Sequence, residues 1–157
     1  MINYTIICQS KHWPARFKKV ENLIKRVLLF KKDMCFNFEG DYICNIILTD
    51  NDRIKKMNYK FRKKNKITDV LTFVSELNFK KTKKIKVADI FMAAETIKND
   101  ASKNYITFYD HLTHLFIHSI LHVNGFTHKK TKDFIKMQNI EIKILKKLKI
   151  TNPYLRD

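Results

Sequence analysis

A chain of 157 residues with 45% apolar and 12% aromatic side chains is long enough to bury a core, roughly 70% of its unfolded surface at this size, and too apolar to stay disordered. No stretch approaches the roughly 20 apolar residues of a membrane span, and MINYTIICQS lacks the basic start and continuous apolar run of a secretory signal, so a cytoplasmic protein without a membrane partner is expected. The net charge of +17, from 32 basic and 15 acidic residues, invites a polyanion; only five of the cations are Arg, and Lys, like Asn and Ile, is a residue that an AT-rich genome produces in excess, so mutational drift is the competing source of the charge.

In chain order, Ile2, Tyr4 and Ile6 alternate with Asn3 and Thr5, the period of a half-buried strand. Pro14 suits a helix start, and Phe17, Val20, Ile24, Val27 and Leu28 keep helical spacing to about Phe30. Tyr42 to Thr49 is a β-rich run, after which Asp50 suits an N-cap for a short helix carrying Ile54, Met57 and Asn58. Further strands are predicted from Val70 to Val74 and from Ile85 to Met92. Helices follow from Ala93 to Lys103, Thr107 to about Asn124 and Thr131 to about Leu148. The last has an apolar face of Phe134, Met137, Ile140, Ile144, Leu145 and Leu148. The lysine runs at 63–66 and 80–84 read as solvated loops, without base-stacking aromatics of their own. Cys8, Cys35 and Cys44 are scattered and odd in number, and read as buried reduced thiols.

With two Gly, two Pro and no repeat or linker, residues 1–157 read as one domain. The order of elements predicts a mixed α/β (α+β) fold, a small four-stranded sheet packed with about five helices. The pattern of elements leaves the strand order open.

Five of the six histidines fall in HLTHLFIHSILHVNGFTH, residues 111–128. His118 and His122, four apart on a helix, share one face, a spacing that lets two imidazoles bind one cation. Gly125 then suits a left-handed turn that lets His128 approach the same ion. The spacing is that of the metzincin protease motif HExxHxxGxxH, but Ser119 stands where those enzymes carry the Glu that serves as general base. Three imidazoles leave a tetrahedral Zn²⁺ one open position, where water can reach a pKa of roughly 7. One Zn²⁺ per chain on His118, His122 and His128 is the expectation, with no organic cofactor. A stripe of His114, His118 and His122 would span roughly 12 Å at about 1.5 Å per residue, too long for one ion. His114 is therefore expected behind the ligands or facing substrate, and His111 at the surface. His12 has no informative context.

HSILHVNGFTH, residues 118–128, resembles the HGxLHLxGYDH signature of the YbeY endoribonucleases, bacterial rRNA maturation factors. MNYKFRKKNKITDVLTF, residues 57–73, is similar to that family's LNxxYRxKDxPTDVLSF. Ala88-Asp89-Ile90 stands where the family has Gly-Asp-Ile, and Asn152-Pro153-Tyr154 is similar to its NPY ending. Departures are Ser119 for Gly, Phe126 for Tyr, Thr127 for Asp, Ile67 for Pro and Ala88 for Gly.

The resemblance implies a small α/β fold and a single-strand-specific endoribonuclease acting on rRNA, including the 3′ end of 16S rRNA. It also implies the ribosome and its quality control as partners, and Arg62 as a functional residue. A guanidinium is suited to gripping a phosphate and stabilising charge on it, so Arg62 is expected to bind substrate and act in catalysis with His118. His114 is expected to touch substrate, and His114 and Asp89 are candidate proton carriers. The alternatives are a non-catalytic, zinc-stabilised RNA- or ribosome-binding protein and a metalloprotease.

Overall fold

The computed structural model describes residues 1–34, 40–79 and 83–155. Strand β1 (Ile2–Cys8) is followed by a 3₁₀ turn at Pro14–Arg16, helix α1 (Phe17–Leu28), strand β2 (Asp41–Thr49) and helix α2 (Asn51–Arg62). Strands β3 (Val70–Phe79) and β4 (Lys83–Ala93) precede helices α3 (Ala94–Lys103), α4 (Phe108–Val123) and α5 (Thr131–Lys147). The sheet order is β1-β2-β4-β3; β1 and β4 both run parallel to β2, while β3 is antiparallel to β4. The mixed four-stranded sheet and five helices expected from the pattern are present, and the order places β1 and β3 at the edges.

Alternation along the strands sorts the two faces. Tyr42, Cys44, Ile46 and Leu48 of β2, with Ala88, Ile90 and Met92 of β4, are buried in the main core with residues of α1, α4 and α5. On the opposite face, Ile54 of α2 packs with Leu71, and Phe73 and Phe91 lie partly buried against them. Trp13 is fully buried and donates its indole N–H to the Thr49 carbonyl at 2.7 Å, joining the start of α1 to the end of β2. Helix α4 is buried around most of its circumference, between α1, α3, α5 and β3.

Local chemistry sets the ends of the elements that carry the site. The Asp50 carboxylate accepts from the Arg53 backbone N–H at 2.9 Å and starts α2, and Lys63 ends it in a left-handed conformation (φ 57°). Thr107 caps α4 by accepting from Asp110 N–H at 3.1 Å. No helix among the described residues is long and apolar enough to cross a membrane.

Several expectations are corrected. β3 runs on to Phe79, because residues beyond Val74 pair with β4 (Glu76 with Lys86, Leu77 with Ile85) although Ser75, Glu76 and Asn78 are weak strand formers. Lys83 and Lys84 belong to β4 rather than to a loop, and residues 80–82 lie outside the described set. Phe17 and Phe134 are exposed, each in the first turn of its helix, ahead of the packed residues that begin at Val20 and Met137. Cys8 is exposed at the strand end, and Cys35 lies outside the described residues.

Cys44 is buried, and its burial pushes the thiol pKa up to about 11. Alkylation of the native protein followed by peptide mapping is expected to label Cys8 and spare Cys44 until denaturant is added. Trp13→Ala is expected to cost about 3–5 kcal/mol in urea unfolding, since it empties a core site and leaves the Thr49 carbonyl without its indole donor.

Candidate metal centre

The i, i+4 spacing of His118 and His122 on α4 brings their ring centroids to 4.5 Å. The helix ends at Asn124, and Gly125 takes φ +90°, a conformation that costs a residue with a Cβ about 1–2 kcal/mol. Phe126 N–H then returns to the Leu121 carbonyl at 3.0 Å, and the chain doubles back. His128 consequently stacks on His118 at 5.7 Å and meets His122 edge-on at 5.0 Å. One ligand atom from each histidine lies within 4.8 Å of the others, so the three could hold a metal ion.

The hydrogen bonds behind the rings decide which nitrogens face inward. His118 Nδ1 lies 2.5 Å from Glu141 Oε1, and His122 Nδ1 lies 2.9 Å from the Phe126 carbonyl. Each acceptor calls for an Nδ1 proton, which leaves lone pairs on the two Nε2 atoms, 2.9 Å apart. Two facing lone pairs repel unless a cation lies between them, so this donor set fits a metal ion such as zinc. Burial first, then the neighbouring His118, lowers the pKa of His122 against the pull of the Phe126 carbonyl, which favours the neutral, ligating form. Because the Phe126 contact is made by backbone, the exchange of Tyr for Phe there leaves it intact.

Glu141, absent from the residues singled out in the sequence, is fully buried on α5. Burial alone would raise its pKa, but hydrogen bonds from His114, His118 and Tyr154 outweigh that and hold it down at about 2. The sequence signal was a charge in an apolar row, four after Met137, three before Ile144 and four before Leu145.

Arg62 ends α2, exposed beside β3, where its guanidinium donates to the Thr72 carbonyl at 3.3 Å and lies 5.6 Å from the Phe73 ring. A cleft of about 400 Å³ is lined by Arg62, Asp69, Thr72, His118, His122 and His128, among others. The loop after Arg62 is held by buried Asn58, whose side chain donates to the Lys66 carbonyl at 3.0 Å. That loop has no aromatics, but α2 places Phe61 beside it, exposed and 5.2 Å from Phe73.

His114 lies behind His118, with Nε2 3.2 Å from both Glu141 Oε2 and the Tyr154 hydroxyl. It opens onto a separate cleft, with Tyr105, Thr107 and Pro153, rather than onto the one that the three histidines line. Asp89 accepts from the Asn45 side chain at 2.9 Å on the sheet face away from α4, also outside the cleft lining. Asp69 is the carboxylate that lines the cleft. His111 is not a surface residue but 9% exposed, because α4 is packed on nearly all sides; it clusters with Asp69 and Asp100. Ser119 is fully buried and donates to the Leu115 carbonyl at 2.9 Å.

A Cβ at Gly125 would meet nothing within 4 Å. Gly125→Ala is therefore expected to cost only its backbone strain, about 1–2 kcal/mol in chemical denaturation, and a larger loss would mean a clash the structure does not contain.

Residues 5–149 match the family described as Endoribonuclease YbeY. The Endoribonuclease YbeY of Bartonella bacilliformis is 37% identical over 155 residues, 98% of each chain, and that of Ehrlichia canis is 32% identical over 145 residues, 92% of each. The solution structure of TM1509 from Thermotoga maritima aligns with a TM-score of 0.59 at 25% identity, covering 100% of this chain and 97% of that one. With both the match and these relatives spanning nearly its whole length, the chain belongs to the YbeY endoribonuclease family.

Proposed function

We propose that the chain is a zinc-dependent, single-strand-specific endoribonuclease of rRNA processing, with Zn²⁺ on His118, His122 and His128 and the scissile phosphate on Arg62. The observation that carries this reading is that Arg62 and the three histidines line one cleft. When bound, Zn²⁺ supplies Lewis acidity toward a phosphoryl oxygen and toward water.

The chain's own residues do the positioning. Arg62 spends one N–H on the Thr72 carbonyl, which fixes the guanidinium and leaves other donors for phosphate oxygens. Asp69 lines the cleft and is our candidate proton carrier there, through Oδ2, since its Oδ1 accepts from the Val70 N–H at 2.7 Å. Residues 54–68 hold seven Lys or Arg and no acid, an attractive path for a polyanion, and the exposed ring of Phe61 offers a stacking face to an unpaired base. The protease alternative loses support at Ser119, whose hydroxyl is committed to the Leu115 carbonyl inside the helix.

The family resemblance supports the finer proposals, action on the 3′ end of 16S rRNA, a part in ribosome quality control and a cytoplasmic location, and the +17 charge adds support for contact with the RNA of the small subunit.

Purified chain is expected to carry about one zinc, to cut single-stranded RNA, and to stop when zinc is chelated. Arg62→Ala is expected to lower kcat/KM by about 10²–10³, the scale of removing one donor from a developing charge. Zinc-loaded protein that leaves the RNA intact, or Arg62→Ala and His118→Ala proteins purified in parallel that cut as fast as wild type, would overturn the nuclease reading; casein should stay uncut. Cosedimentation with small subunits is expected to weaken steeply between 50 and 200 mM salt, by about 10³ or more in affinity if six or more phosphates are contacted.

A further inference from the structure

A fully buried carboxylate is a poor way to stabilise a core. An apolar residue of similar size would avoid the desolvation cost, and such a group persists only when all its oxygens are satisfied. At Glu141 they are. Oε1 accepts from His118 Nδ1 at 2.5 Å; Oε2 accepts from the Tyr154 hydroxyl and lies 3.2 Å from His114 Nε2. His114 and Tyr154 also meet each other, with ring centroids 5.5 Å apart and edge-on.

The segment that delivers Tyr154 is shaped for it. Lys149 takes φ 61° just after α5, Ile150 N–H returns to the Leu145 carbonyl at 2.9 Å, and the Asn152 side chain accepts from Tyr154 N–H at 2.9 Å. Asn152 and Pro153 thus make a local turn that swings the Tyr154 hydroxyl back under α4 and onto Glu141.

We infer that Glu141 is the positioning residue of the metal centre and that the 149–154 segment, through Tyr154, holds Glu141 in register with His118. The inference rests on the reading of His118, His122 and His128 as metal ligands. Glu141 sets the His118 tautomer so that Nε2 faces the ion, and its negative charge makes that nitrogen a better donor. Tyr154 and His114 keep the carboxylate from rotating away.

The test is the affinity of full-length chain for Zn²⁺, from competition with a chromogenic chelator, beside the d–d absorption of bound Co²⁺ and the unfolding free energy of the metal-free protein. Glu141→Gln, which keeps shape but removes charge, is expected to weaken zinc binding 10- to 100-fold. Tyr154→Phe, at a residue with its ring partly exposed, is expected to weaken it about tenfold and to change the Co²⁺ spectrum, while Tyr105→Phe, on a residue 97% exposed, changes neither. If Glu141→Gln fails to fold, Tyr154→Phe carries the test. Zinc affinity unchanged in the variants overturns the inference, as does a loss no larger than the loss in metal-free unfolding free energy. Wild-type chain that takes up no metal overturns it together with the ligand reading.

Discussion

The approach of two imidazole Nε2 atoms to 2.9 Å is the constraint on which the site depends. Each ring is held from behind through its Nδ1, one by a carboxylate on α5 and one by a backbone carbonyl beyond the Gly125 turn. Neither arrangement would hold on a loosely packed helix. Because α4 is enclosed on most sides, a rotation that relieved the repulsion would disturb packing against α1, α3, α5 and β3 together. The site is pre-organised by the core beneath it.

The sheet contributes the other wall. Since β3 is an edge strand, its outer side stays open next to α4, and the cleft forms between them. Arg62 reaches this cleft from the opposite face of the sheet, at the end of α2. The left-handed turn at Lys63 and the buried Asn58, bonded to the Lys66 carbonyl, then shape the lysine-rich loop that follows. Arg62 and the three histidines therefore come from separate layers and meet along one strand.

What was legible from residues alone follows from the range of the interaction. The histidine triad could be read because its geometry is local: one helical turn, then a glycine turn, within 11 residues. The ends of α3, α4 and α5 were placed to within a residue, α4 by its near-continuous apolar run and α5 by its apolar face. The end of β3 was not, because cross-strand pairing rather than propensity holds Ser75 to Asn78 in place. Glu141 was missed because its partners lie 23 and 27 residues earlier on another helix, and its only trace was a charge in an apolar row. His111 was misplaced although Leu112, Leu115, Phe116, Ile117 and Ile120 make its helix apolar on nearly every side, the mark of an enclosed helix.

The tie between Tyr154 and Glu141 also has a meaning in time. Tyr154 is made 36 residues after His118, a delay of roughly 2–7 s at about 5–20 residues per second of synthesis. During that interval the imidazoles of α4 exist without the hydroxyl that closes the network behind them. The nascent chain thus acquires its clustered histidines first and their restraint last.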